Sequence, residues 1–222
     1  MTKLLIDKGA YDLVVAGDWF YYGINCTPIG GERLVYFKHD LYQEVSVTAA
    51  EYHQAKYRAP IEPYEAGESV CFMASGDTLR CSFQDSVVRQ FSPAGELLRE
   101  LPYSSIEAHG GIYSIALDAD GHLWAADPAY HHVAQYDVAT GQKRWELGGS
   151  WDPEPGLLNH PEEVVCYGPD VFISDMGHQR LLRLNTRSKA LSTYASFSQQ
   201  VWEYRRFGAR ELVRLQEGIY CL

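Results

Sequence analysis

The sequence predicts an all-β protein, a five-bladed β-propeller built from four-stranded antiparallel blades. Short runs of alternating apolar and polar residues, each bounded by Gly, Asp or Pro turns, favour strands joined by tight turns. The 222 residues include 16 Tyr and 19 Gly, and these residue types are typical of strands and of turns respectively. A third observation, a recurring turn-and-strand motif, gives the number of blades.

Length, composition and charge limit the classes of function. The chain is long enough for one domain or two small ones, and 46% hydrophobic residues can form a substantial core. Acidic residues outnumber basic ones by 29 to 19, for a net charge of −10, which argues against partners with an anionic backbone or surface. Five Cys without a CxxC pair argue against a disulfide framework. We therefore expect a cytoplasmic protein with free thiols that binds neither nucleic acid nor membrane.

The motif GHLWAAD, at 121–127, recurs along the chain with small variations. The related segments are GDWFYYG at 17–23, GDTLRCS at 76–82, GPDVFISD at 168–175 and GIYCL at 218–222. The large apolar residue after each turn is spaced by 59, 45, 48 and 48 residues, at Phe20, Leu79, Trp124, Phe172 and Tyr220. Repeats of this length indicate propeller blades.

The strands that follow each motif complete the blades. The third and fourth units continue into two further strands, which makes four strands per unit. The fifth unit is predicted to supply two strands, around 211–215 and 218–222, with 202–207 as a connection. Residues 3–7, KLLID, form a spare strand that would complete the last blade with 210–222 and cover its edge. The whole chain, 1–222, is thus predicted to form a single propeller domain.

One segment has a helical signature. Thr48 followed by Glu51 makes a capping box, so we predict a short helical insertion over about 49–57. Pro60 and Pro63 follow it and favour an irregular approach to the next strand.

The third and fourth units resemble NHL-type repeats. IALDADGHLWAADPAYHHVAQYD and VFISDMGHQRLLRLN carry an Asp-Gly turn, a strand ending in Ala-Asp or Ser-Asp, and a turn with His131 or with Gln179 and Arg180. Pro161 matches the proline that leads into the next blade. The resemblance implies a β-propeller similar to virginiamycin B lyase, peptide α-hydroxyglycine lyase and gluconolactonase-like enzymes. NHL-type propellers also include non-catalytic scaffolds, so the resemblance does not select a function.

In a propeller, ligands bind where the segments leading into the innermost strands converge at the channel mouth. The residues just before the predicted innermost strands, together with two His slightly upstream, are polar in every blade: Asp12, Glu68, His109, Tyr113, His160, Glu162 and Arg210. Such a ring suits a polar ligand or metal, and it equally suits a solvated rim.

Roles for these residues follow from their chemistry and from the resemblance. Imidazole and carboxylate suit a divalent ion or general acid–base work, and the lyase resemblance implies channel-mouth His residues with a metal. His109, His160 and Glu162 are therefore predicted metal ligands for one divalent ion, and with Tyr113 the predicted catalytic set. The residues predicted to bind substrate are Arg210, Glu68 and Asp12.

Two functions remain open at this stage. The first is a small-molecule lyase or hydrolase that acts at the channel mouth. The second is a non-catalytic scaffold that binds a protein partner. Asp127 and Asp175, which end their strands, are predicted to be structural acceptors for N–H groups of the next turn.

Overall fold

The computed structural model describes residues 3–6, 10–24, 34–39, 43–58, 69–82, 87–101, 111–152 and 157–222. Within these residues, twenty strands form five four-stranded sheets, and every pairing is antiparallel. The predicted class, a five-bladed β-propeller, is confirmed. The Cys at position 26 and the predicted residues Glu68 and His109 lie outside the described residues.

The strands follow one another through the blades in chain order. Blade one contains β2 (Ala10–Ala16), β3 (Trp19–Ile24), β4 (Leu34–His39) and β5 (Gln43–Val47). Blade two contains β6 (Ser69–Phe72), β7 (Thr78–Cys81), β8 (Val88–Phe91) and β9 (Leu97–Glu100). Blade three contains β10 (Ser114–Leu117), β11 (Leu123–Asp127), β12 (His132–Tyr136) and β13 (Lys143–Gly148). Blade four contains β14 (Pro161–Tyr167), β15 (Asp170–Asp175), β16 (Arg180–Asn185) and β17 (Leu191–Ser196). Blade five contains β18 (Val201–Phe207), β19 (Arg210–Leu215), β20 (Gly218–Cys221) and the N-terminal β1 (Lys3–Ile6).

Blade five differs from the prediction in which strand is innermost. The C-terminal part of the chain supplies three strands, because 202–207 lies within β18 and is not a connection. The repeat motif predicts that 218–222 is the second strand of its blade, but Tyr220 lies on the third strand. The second strand is β19, which follows the Gly208-Ala209 turn. The pairing of β1 with β20 agrees with the predicted closure.

Blades two to four form one compact unit. Their second strands β7, β11 and β15 are buried along their whole length. The innermost strands are linked by serine: Ser69 Oγ accepts from Ile115 N at 2.9 Å, and Ser114 Oγ accepts from Val164 N at 3.2 Å. The starts of β10 and β14 therefore lie side by side.

Blades one and five form the second compact unit, together with helix α1 (Ala49–Tyr57). The capping box of Thr48 and Glu51 is present. In the core between these blades, the rings of Phe20 and Phe207 meet edge to face at 5.5 Å.

Helix α1 is fastened to blade one through Asp12. The Asp12 carboxylate accepts a hydrogen bond from Tyr52 Oη and another from Lys56 Nζ at 2.6 Å. The side chains of Lys56 and Asp12 are only 16% and 17% exposed. Burial alone would raise the pKa of Asp12, but the Lys56 ammonium, the two hydrogen bonds and Arg205 outweigh it and hold this pKa well below its usual range. The ion pair therefore stabilises the folded state.

We expect Asp12→Asn to lower the free energy of unfolding at pH 7 by roughly 2–3 kcal/mol, because it leaves the Lys56 charge largely buried and unpaired. Asn accepts the positive φ of this position, 62°, so the backbone is not disturbed. Since the folded-state pKa is depressed, the stabilisation is present above about pH 4 and is lost as the pH falls through the folded value. Urea denaturation from pH 7 down to about pH 2 follows most of this loss.

The exposed pair of Asp120 and Arg187 supplies the control, because Asp120→Asn should change stability little at any pH. Equal unfolding free energies for Asp12→Asn and the unmodified chain at pH 7 would contradict the assignment.

The closure of blade five depends on a close approach at Gly218. A Cβ on this residue would lie 2.0 Å from the carbonyl oxygen of Ile6 in β1. We expect Gly218→Ala to weaken the docking of β1, with faster hydrogen exchange at the amides of Leu4 and Ile6. A Cβ at Gly208, whose φ is 58°, would meet nothing within 4 Å. Gly208→Ala should therefore cost only about 1 kcal/mol of backbone strain and leave β1 protected. Unchanged exchange of β1 in Gly218→Ala would contradict this account.

Candidate functional site

Bulges occur where innermost strands begin. In three innermost strands the pairing register with the second strand shifts by one residue near the start. The shift lies between Tyr11 and Leu13 in β2, between Pro161 and Glu163 in β14, and between Val201 and Glu203 in β18. A bulge inserts an extra residue and turns its side chain away from the regular alternation. The extra residues are Asp12, Glu162 and Trp202. Two of them belong to the predicted ring, whereas Trp202 was not predicted as a site residue.

Tyr113 occupies the corresponding position in blade three. It directly precedes β10, and its N–H donates to the carbonyl of Ala126, the residue that pairs with Ser114. The Tyr113 side chain is 44% exposed.

The structure places Tyr113 within the electrostatic influence of Glu162. Partial burial, and then the negative charge of Glu162, raise the pKa of the Tyr113 phenol. Because β10 and β14 are linked through Ser114 and Val164, the two side chains stand at neighbouring strand starts. At neutral pH the phenol keeps its proton and can donate it in a hydrogen bond, while the carboxylate can accept one.

His160 lies directly before β14, in contact with His131. His160 has a φ of 53°, its N–H donates to His131 Nδ1 at 2.9 Å, and its carbonyl accepts from Met176 N at 3.1 Å. The two imidazole rings are 5.2 Å apart. Burial, and then the nearby His160, lower the pKa of His131. His131 is therefore neutral at pH 7, with its proton on Nε2, because Nδ1 is an acceptor.

Asp175 holds the segment that leads to His160. Its carboxylate is fully buried and accepts from Asn159 N at 2.7 Å, from Arg180 Nε at 2.6 Å and from His178 Nδ1 at 3.0 Å. Asp127 likewise accepts from Tyr130 N at 3.0 Å. Both aspartates have the structural role that the sequence predicted.

Two of the predicted substrate-binding residues, Asp12 and Arg210, belong to blades one and five. The Asp12 carboxylate is occupied by Tyr52 and Lys56 of the helix. Arg210 was predicted to precede the innermost strand of blade five, but that strand is β18. Arg210 pairs with Phe207 in the hairpin at the far end of β18 from Val201.

Of the three predicted metal ligands, His160 and Glu162 are described. Within the described ranges, no group of three or more His, Cys, Asp or Glu residues is arranged to hold a metal ion. A catalytic divalent ion takes three protein ligands in its usual sites, so the described side chains do not complete such a site.

Among the described residues, no helix is both long and apolar enough to cross a membrane.

No family profile matches the chain, and no curated protein sequence matches it. Several solved structures are similar to the chain. Virginiamycin B lyase from Staphylococcus aureus has a TM-score of 0.53 at 12% identity, over 100% of this chain and 98% of that one. A catalytically inactive variant of the same enzyme, solved with quinupristin, has a TM-score of 0.51 at 13% identity and the same coverage.

The WD40 β-propeller domain of Doa1 is also similar, with a TM-score of 0.54 at 10% identity, over 94% of this chain and 61% of that one. At such low identities these likenesses show that the chain has the β-propeller fold.

Proposed function

We propose that this chain is a lyase for a small polar molecule and that it acts at the starts of β10 and β14. The observation that carries the proposal is that Tyr113 and Glu162 stand at the starts of neighbouring innermost strands, near enough for the charge of Glu162 to raise the pKa of the phenol. The similarity to virginiamycin B lyase, which extends over 98% of that chain, supports the reaction class.

The chemistry follows from the protonation states of the two groups. Glu162 is half-buried and acts as the base that removes a proton from a substrate carbon. Tyr113 stays protonated and donates a hydrogen bond to the oxygen on which negative charge develops. As the C–H bond breaks, its electrons form a double bond and expel the leaving oxygen, which takes a proton from the His160 imidazole.

The same groups allow one close variant of this reaction. If Glu162 removes a proton from water instead of carbon, the result is hydrolysis, the other reaction class that the sequence left open. His109 and Glu68, both outside the described residues, stay predicted members of the site. Asp12 is assigned to fastening helix α1.

A protein-binding scaffold is the second candidate function. It is favoured by two adjacent leucines on the outer strand β9, where Leu97 and Leu98 are 53% and 51% exposed. Large exposed apolar side chains are typical of interaction surfaces. A scaffold would not consume a small molecule.

The test is a substrate search by mass spectrometry. Purified protein and its Glu162→Gln variant are incubated with a metabolite extract, and compounds consumed only by the unmodified protein are identified. We expect consumption to fall at least about 100-fold in Glu162→Gln, because the general base is lost. In Tyr113→Phe we expect a fall of about tenfold or more, since one donor to the oxyanion is lost.

The product masses separate the two reaction classes. In an elimination the masses of the products add up to that of the substrate, whereas in a hydrolysis they exceed it by one water. Glu96→Gln, at an exposed turn of blade two, is the matched control and should consume at the unmodified rate. Consumption that is equal in Glu162→Gln and Glu96→Gln, or no consumption at all, would overturn the proposal.

A further inference from the structure

A small cleft lies beside the end of β13 in blade three, next to His131, whose Nδ1 accepts the His160 N–H. Its lining includes His131, Gly149, Asp152 and Leu158. The residues after β13 are Gly149, Ser150, Trp151 and Asp152.

Aromatic rings stand beside this cleft. The rings of Tyr130 and Trp151 are 5.4 Å apart and inclined at 75°. The ring of His132 also lies near Tyr130, at 6.0 Å and 74°. Trp151 is 60% exposed, which is unusual for the largest apolar side chain. We call Tyr130, Trp151 and Asp152 the aromatic corner.

Backbone hydrogen bonds fix the aromatic corner. Ser150 N donates to the Tyr130 carbonyl at 3.0 Å, and Gly149 N donates to the His131 carbonyl at 3.2 Å. Gly149 has a φ of 100°, and a Cβ there would lie 3.3 Å from the His132 ring and 3.4 Å from the Tyr130 ring. The glycine thus lets the chain pass close to the Tyr130 and His132 rings, so that the backbone of the corner is fixed before a ligand binds.

The charges around the corner favour a cation. Asp152 is exposed next to Trp151, and its carboxylate is close enough to His131 to raise the pKa of that imidazole against the opposing effect of burial. Basic side chains on neighbouring elements are paired with carboxylates. Lys143 Nζ lies 2.5 Å from Glu146, and Arg180 Nε lies 2.6 Å from Asp175. The net charge of −10 attracts cationic ligands over a longer range.

We propose that the aromatic corner binds a methylated ammonium group. Such a group carries its positive charge on an apolar surface, and near-perpendicular aromatic rings with a nearby carboxylate suit both properties. The group belongs either to a free quaternary amine or to a methylated lysine side chain of a peptide. This site shares no side chain with Tyr113, Glu162 and His160, so it is separate from the proposed lyase site.

Calorimetric titration with choline and with 3,3-dimethyl-1-butanol, its uncharged carbon isostere, tests the proposal. We expect choline to bind with millimolar affinity and the isostere to bind about tenfold more weakly or not at all. N-acetyl-trimethyllysine methylamide forms the third arm. Tighter binding of this compound than of choline indicates a peptide source, and equal or weaker binding indicates a free amine.

Variants locate the binding site. Trp151→Leu and Asp152→Asn should each weaken choline binding by about tenfold or more, with thermal unfolding unchanged. Tyr194→Leu removes an aromatic ring that is 38% exposed on the outer strand of blade four and should leave choline binding as it is. Equal affinity for choline and its isostere would overturn the proposal, and so would choline binding that survives in both Trp151→Leu and Asp152→Asn. Neither result bears on the consumption assay, so the two proposals can fail separately.

Discussion

The unit of blades one and five depends on one pairing, that of the first strand in the chain with the last. Without β1, the hydrogen-bonding edge of β20 would be open and blade five would have three strands. Ile6 of β1 also packs into the core between the two blades, beside Leu13, Phe20 and Ile219. The approach is so close that only glycine fits at position 218. Because the two strands are at opposite ends of the sequence, this pairing carries the entropy cost of closing a loop that spans nearly the whole chain.

The bulges at the starts of innermost strands show how a repeated geometry acquires different uses. Each bulge turns one side chain away from the regular ladder, and the identity of that side chain decides the outcome. Asp12 is held by Lys56 and Tyr52 of the helix, and Trp202 offers no acid–base group. Glu162, by contrast, is near enough to the half-exposed Tyr113 for its charge to raise the pKa of the phenol. The fold thus provides equivalent positions, and local sequence makes one pair of them suitable for proton transfer.

Most of the fold could be predicted because its determinants are local. The Gly-Asp turns and the alternating strands locate blades one to four, and Thr48 with Glu51 identifies the helix. In blade five the sequence motif points to the third strand instead of the second. The true second strand follows Gly208-Ala209, a turn without the Asp of the other units, and β18 carries charged residues in place of an apolar run. The displacement of Arg210 from the predicted ring follows from that error. The contact between His131 and His160, 29 residues apart, and that between Lys56 and Asp12, 44 residues apart, have no local signature.

His131 connects the two proposed sites. Its ring accepts the N–H of His160 and so fixes the backbone before β14, while its carbonyl accepts the N–H of Gly149 and fixes the backbone of the aromatic corner. A protonated ring would have no free lone pair at Nδ1, so the bond to His160 requires the neutral form. Burial, and then the nearby His160, lower the pKa of His131 and favour that form. A group with a depressed folded-state pKa contributes stability above its ordinary value of about 6.5, and this contribution is lost as the pH falls through the depressed value. The geometry at the start of β14 is therefore secured at neutral pH by a histidine that takes no part in the proposed proton transfers.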